Sequence, residues 1–377
     1  MHVFDAIVVG VGGMGSATVF QLARRGLRVL GLEQFDIPHE RGSSHGVNRI
    51  IRLAYWEHPD YVPLLRRAYE LWREIEETAG ERLLIVTGSV DVGPPESMTV
   101  TGSRRSCEIH ELPHEVLDGR ALHARFPGYC VPPSFSAVYQ PDGGFVLSER
   151  AIVAHVRAAE QLGAIVKARE AVLAIETSDA SVVVRTAAAT YRAARLVLTA
   201  GPWTARLAPR LARLAVPERQ VLLWTQPLRP ELFQPRVFPV FNLEAAEGRF
   251  YGFPIFDIPG FKLGKYHHRR ERVDPDRVDR EISAEDEEIL RVGIRKYFPD
   301  ADGRTLALKT CLFTNTPDEH FILDRISDAP PIAIAAGFSG HGYKFCSVVG
   351  EIMADLCIDG RTGCDLGLFR LDRFSDM

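Results

Sequence analysis

The chain has 377 residues, 46% hydrophobic and 25% charged, and its 45 Lys and Arg against 49 Asp and Glu give a formal net charge of −4. This is enough chain for two or three domains and an ordinary globular composition, which excludes a disordered protein. The near-balanced charge argues against a nucleic-acid partner, because phosphate recognition needs a basic surface. No window approaches about 18 uncharged apolar residues, so no membrane span is expected.

Six cysteines (Cys107, Cys130, Cys311, Cys346, Cys357 and Cys364) are scattered without a CxxC pair or a histidine at metal spacing. The first apolar run begins at Ala6 and dissolves into glycines by Gly10, which is not an export signal. The expectation is therefore reduced thiols in the cytoplasm, with no disulfide framework and no metal site.

In chain order, Ala6 to Val9 reads as a strand buried on both faces. It runs into Gly10-Val11-Gly12-Gly13-Met14-Gly15. Helical spacing from Ala17 to Arg25 ends at Gly26, and Val29 to Leu32 is a second strand with Glu33 at its end, a βαβ start. Residues 41–58 are rich in Gly, Ser and His and begin as loop, and helical spacing returns over 60–78. From 83 to 144, short apolar runs broken by Gly and Pro predict a separate β-rich layer. A helix is expected from Ser148 to Leu162. Short strands follow, the last of them (196–198) entering Thr199-Ala200-Gly201-Pro202-Trp203. Aromatics and prolines alternate with strand-like runs over 216–282. Ser283-Ala284-Glu285-Asp286 then starts a helix ending near Pro299. Finally Ile332 to Ala336, a buried strand, meets Gly337-Phe338-Ser339-Gly340-His341-Gly342, with a helix to about Cys357.

The two ends share one plan, an apolar strand entering a glycine-rich turn that starts a helix. This predicts an α/β, two-domain protein. A discontinuous Rossmann-like nucleotide-binding domain takes residues 1–82, 145–215 and 321–377, and a β-rich substrate domain takes 83–144 and 216–320.

Gly10, Gly12 and Gly15 form GxGxxG after a strand and before a helix, with Glu33 eighteen residues beyond Gly15. The first glycine allows the tight turn, the second a close backbone approach to a pyrophosphate, the third close helix–strand packing. A carboxylate at Glu33 would accept ribose hydroxyls. The bland alternative is a structural glycine turn, and the motif alone does not separate FAD from NAD. The second glycine run, 337–342, offers backbone N–H groups to negative charge. It could also be an ordinary strand-to-helix turn, but it suits FAD, whose isoalloxazine must be held as well as its ADP half. Arg49 with Arg52, and His341 with Lys344, stand three apart just beyond glycine-rich segments. Lys262-Leu263-Gly264-Lys265-Tyr266-His267-His268 puts four basic side chains in seven residues, which a basic hairpin facing water would also do.

These stretches, with Gly42-Ser43-Ser44-His45-Gly46, Asn48-Arg49-Ile50-Ile51-Arg52, Tyr251-Gly252-Phe253-Pro254, Lys309-Thr310-Cys311 and Asp318-Glu319-His320-Phe321, resemble the monomeric sarcosine oxidase and N-methyltryptophan oxidase family of flavoprotein amine oxidases. The resemblance runs the length of the chain. It implies FAD joined by a thioether to Cys311, an arginine and a lysine (Arg52 and Lys344) on the substrate carboxylate, Arg49 near the flavin, and Lys262 assisting the reaction with oxygen. It implies Tyr251 at the substrate and places Gly10, Gly12, Gly13, Met14, Gly15, Glu33 and Val172 on the cofactor. Gly42, Ser43 and His45 would line the isoalloxazine with Gly337, Phe338, Gly340, His341, Gly342 and Lys344. It also implies a monomer.

Three departures touch the substrate side. Phe313 stands where the family has an aromatic hydroxyl, and Ser44 replaces a histidine. One extra residue after Lys262 leaves His267 or His268 to fill the active-site histidine's place. The implied reaction is oxidative demethylation of an N-methyl or other secondary amino acid by oxygen, giving amino acid, formaldehyde and hydrogen peroxide. The alternatives are oxidation of a pipecolate-like cyclic imino acid or a D-amino acid, or a flavin-binding protein without turnover.

Overall fold

The computed structural model describes residues 2–178 and 181–375. Ala6, Ile7, Val8 and Val9 are buried because their strand, His2–Val9, lies between two parallel neighbours. Val29–Leu32 pairs on one side and Thr190–Leu198 on the other. The parallel set continues outward to Ile165–Lys167 beyond Val29–Leu32, and to Pro331–Ala336 beyond the end of Thr190–Leu198. A hairpin, Val172–Ser178 and Ser181–Thr186, and the strand Ile322–Asp328 add antiparallel pairs, for eight strands.

Three helices cover this sheet. Gly13–Arg24 packs against both Ser148–Gln161 and Cys346–Ile358. Gly350 makes the second contact possible, since a Cβ there would stand 2.6 Å from the Ala17 backbone carbon.

A second eight-stranded sheet runs in the order Thr305–Asn315, Val216–Thr225, Phe261–Lys265, Gly248–Phe253, Val240–Ala245, Ser89–Gly93, Ser136–Gln140, Glu115–Asp118. Its own core is aromatic, with Phe233, Phe238, Phe241, Phe250, Phe261 and Phe298 buried together. Each such side chain contributes about 1.5–3 kcal/mol through burial. The helix Ala284–Tyr297 packs on this core and starts with a capping box between Ser283 and Asp286. A third, three-stranded sheet of Asn48–Ile51, Gly144–Leu147 and Leu84–Val86 carries Arg49.

Two local expectations change. Region 83–144 contains the helices Met98–Ile109 and Gly119–Arg125 besides its strands. The buried face of the first is Thr99, Val100, Ser103, Ser106 and Cys107, a helical stripe written mostly in small polar residues that a search for apolar periodicity passes over. The second glycine run leads into a 3₁₀ turn, Tyr343–Phe345, before the α-helix Cys346–Ile358 begins. Among the described residues no helix is long and apolar enough to cross a membrane.

Candidate active site

Four of the parallel strands end at one cavity of about 440 Å³, whose wall includes Val9, Leu32, Thr199 and Ala335. This is where an open parallel sheet binds its ligand. Gly10 turns the chain with φ +91°, and Gly15 lies so close under it that a Cβ would stand 1.8 Å from the Gly10 carbonyl oxygen. Gly12 differs. An added Cβ would meet nothing nearer than Ser44 Oγ at 3.8 Å, so no protein atom requires glycine there. Its bare backbone lines the cavity at the start of the Gly13–Arg24 helix, as close approach by a phosphate would require. Glu33 accepts from the Val11 N–H at 2.9 Å and the Phe35 N–H at 3.1 Å, and burial pushes its carboxyl up. The opposite wall carries Gly337, Phe338, Gly340 and Gly342. Glycine is needed at Gly340 because Phe313 lies over it, 2.3 Å from where a Cβ would be. The two glycine runs thus bound one cavity, and these residues fit a dinucleotide such as FAD.

Beside the cavity, three residues from distant elements meet. Arg49 donates from Nη2 to the Ser43 carbonyl at 2.9 Å, and the same nitrogen stands 3.5 Å from Cys311 Sγ. Its Nη1 donates to the Asn48 carbonyl at 2.9 Å. Lys262 donates to that same carbonyl at 2.8 Å, to the Gly46 carbonyl at 2.8 Å and to Asn48 Oδ1 at 2.9 Å. Burial, and then the Arg49 charge, push its pKa well below the ordinary lysine value, while three acceptors hold three N–H donors. Cys311 is buried in the middle of Thr305–Asn315.

A second cationic pair is also buried. Arg52 donates to the Ala54 carbonyl and to both Glu57 oxygens, at 2.6, 2.9 and 2.8 Å, and its Nε is 3.7 Å from Asp91. Burial opposes its charge, but Asp91 and Glu57 outweigh burial and raise its pKa. Lys344 donates to the His341 carbonyl at 2.6 Å and points to the Tyr55 hydroxyl at 3.5 Å. Burial, with Arg52 adding to it against Glu57, lowers its pKa to about 7. His341 Nε2 donates to the Glu319 carbonyl, so Nδ1 accepts from Tyr55 at 2.6 Å.

Gly10, Gly12, Gly13, Met14, Glu33, Gly42, Ser43, Arg49, Val172, Gly337, Phe338, Gly340 and Gly342 line the cavity. Gly15, His45, Cys311, His341 and Lys344 stand behind that wall, Cys311 next to its lining residue Leu312. His45 is fully buried with both ring nitrogens unpartnered, and burial takes its pKa to about 3.

The histidine expectation changes. His267 has both ring nitrogens engaged, with Glu218 at 3.0 Å and Glu319 at 3.0 Å, and His268 bonds Asp286 at 3.1 Å. The ring this segment lays against Tyr251 and Phe313 is Tyr266, at centroid distances of 5.2 and 6.0 Å. His267 lies in the turn just past the strand Phe261–Lys265, with φ +52°.

Sequence reading took Ser44 only as a departure on the substrate side, whereas it lines the cavity and its hydroxyl accepts from the Gly13 N–H at 3.3 Å. It also gave no role to Thr199-Ala200-Gly201-Pro202-Trp203, all of which line the cavity. A strand running into Gly-Pro was the available signal.

Fold and site together define an oxidoreductase that uses a bound dinucleotide. Residues 5–356 match the family model for FAD-dependent oxidoreductases (DAO). The chain belongs to that family, and its cofactor is FAD. It is 42% identical to the monomeric sarcosine oxidase of Streptomyces avermitilis, over 97% of this chain and 96% of that protein. It is 33% identical to the N-methyl-L-tryptophan oxidase of Yersinia pestis, over 98% and 99%. Among solved structures it superposes on NikD, an unusual amino acid oxidase essential for nikkomycin biosynthesis, with TM-score 0.85, 26% identity and 98% of each chain covered.

Proposed function

We propose that the chain is a cytoplasmic, monomeric oxidase of N-methyl and other secondary amino acids, with FAD attached covalently to Cys311. The observation that carries this reading is the meeting of Arg49, Lys262 and Cys311 beside a cavity bounded by both glycine runs. When bound, FAD supplies the redox chemistry, taking a hydride equivalent from the amine's carbon and passing electrons to molecular oxygen as hydrogen peroxide.

The protein's part is positioning and charge. Arg52 and Lys344 clamp the substrate carboxylate, with a planar fork on one side and a point charge on the other, which fixes the amine's orientation. Arg52 must exchange part of its Glu57 pairing for the substrate, so the clamp is formed from a cation already desolvated. Tyr251 and Tyr266 wall the amine's other side. Lys262 holds its positive charge, through Asn48, next to Arg49, where it stabilises negative charge developing on oxygen. The same reading assigns 1–82, 145–215 and 321–377 to FAD binding and 83–144 and 216–320 to substrate. Supporting this, each eight-stranded sheet draws its strands from one of those two sets.

The test is a panel of sarcosine, N-methyl amino acids, pipecolate and D-amino acids, followed by peroxide release. Peroxide with sarcosine or N-methyl amino acids is expected. Peroxide with pipecolate or D-amino acids alone would move the assignment to another amino acid oxidase.

A further inference from the structure

In the strand Gly248–Phe253 side chains alternate, so Arg249, Tyr251 and Phe253 share a face. Phe253 meets the Lys262 ammonium at 4.2 Å and Tyr251 meets Tyr266, so this face borders the site just described. Arg249 extends it. Its guanidinium carbon sits 4.7 Å from the centre of the Trp56 ring and 5.2 Å from that of Tyr266. The Arg52 guanidinium carbon is 6.0 Å from the centre of the same ring. Trp56 itself follows Tyr55, which reaches Lys344 and His341.

Two donors in this small region have no acceptor. Arg249 Nη1 and Trp56 Nε1 are buried and make no hydrogen bond, whereas Arg52 Nε faces the Asp91 carboxylate at 3.7 Å. Trp56 is only 6% exposed. A buried N–H without a partner is costly, and two from side chains in contact with each other point to a missing acceptor. Glu319 does not supply it. Its Oε2 stands 3.7 Å from Arg249 Nη2, the other nitrogen, and its Oε1 is held by His267.

We infer that the Arg249–Trp56–Tyr266 cluster binds an anionic substrate side chain, so that secondary amino acids bearing a side-chain carboxylate are the preferred substrates. This rests on the proposed function: with the α-carboxylate on Arg52 and Lys344, a second carboxylate on the same substrate can accept from Trp56 Nε1 and Arg249 Nη1. The aromatic walls would also enclose a neutral aromatic side chain, but that would leave both donors orphaned.

The test compares N-methyl-L-glutamate with its neutral isostere N-methyl-L-glutamine on the holoenzyme. The expected kcat/KM ratio favours the acid by about tenfold or more. It should fall to near one in Arg249→Gln and to an intermediate value in Trp56→Phe, which keeps a ring and loses only the N–H. Calorimetry with glutarate and butyrate should show the same preference, again lost in Arg249→Gln. An acid no better than the amide, or a preference unchanged in Arg249→Gln, overturns the inference. If neither N-methyl amino acid reduces the flavin, the proposed function fails instead, and the glutarate–butyrate comparison on the same protein still decides the cluster's preference.

Discussion

Arg49 and Cys311 lie 262 positions apart in sequence, yet Arg49 Nη2 stands 3.5 Å from Cys311 Sγ. Two pairings produce the contact. Arg49 is fixed by Asn48–Ile51 on Gly144–Leu147, and Cys311 by Thr305–Asn315 on Val216–Thr225, where it lies opposite Gln220. The guanidinium is steered further by the Ser43 and Asn48 carbonyls, so a fixed positive charge faces the sulfur.

The first consequence concerns attachment. Acid-precipitated wild-type protein should stay yellow, and Cys311→Ala should release its flavin. Arg49→Lys keeps the charge but not the fork. It should incorporate less covalent flavin, measured as the yellow fraction that survives denaturation. Flavin washing out of the denatured wild type would refute covalent attachment.

Lys262→Met removes the three bonds to Gly46 and Asn48 and leaves acceptors unpaired, at a cost of about 1–3 kcal/mol in stability. Its kinetic signature should be selective: reoxidation by oxygen slows far more than reduction by substrate in stopped flow. Equal slowing of both half-reactions would make Lys262 a structural residue.

Lys344 gives a pH dependence with a definite sign. With its pKa lowered to about 7 chiefly by burial, it is an ammonium below that pH and a neutral amine above it. Affinity for a carboxylate inhibitor, followed by perturbation of the flavin spectrum, should be full below pH 7 and fall as pH rises through it. The step should disappear in Lys344→Met, and Arg52→Ala or Lys344→Met should each cost roughly 2–4 kcal/mol in kcat/KM. A pH-independent affinity would place the carboxylate elsewhere.

His267, between Glu218 and Glu319, bears on stability. Hydrogen bonds to those carboxylates raise its pKa from 6.5 to about 9. The charged form is favoured in the folded state, so the stabilisation is fully present below pH 6.5 and is lost as pH rises through about 9. It amounts to at most about 2–3 kcal/mol, because Glu319 is partly exposed. The wild type should lose this margin over His267→Gln between those pH values in urea unfolding. A constant difference would mean that the ring is neutral in the fold.

The glycine turn and its flanking strands were legible because their signals are local: an apolar run, GxGxxG, then helical spacing. Cys311 and Lys262 were not legible that way. Nothing within a few residues of either marks its role, and the resemblance alone pointed to them. The Asp91 side chain beside Arg52, and the Asn242 side chain that bonds it, escaped for a related reason. Asn242 Nδ2 donates to Asp91 at 2.6 Å across 151 positions, and only sheet pairing brings them together. Tyr266 was hidden because it sits just past the strand Phe261–Lys265, where alternation along a strand no longer says which side chain faces the site.

The central claim, an FAD-dependent oxidase of N-methyl amino acids, is tested most directly by mixing the purified holoenzyme anaerobically with sarcosine or N-methyl-L-glutamate and then admitting oxygen. The account predicts that the flavin's visible absorbance bleaches before oxygen and returns after it, with formaldehyde and hydrogen peroxide formed in equal amounts. A flavin that stays oxidised with every N-methyl amino acid tried would contradict it.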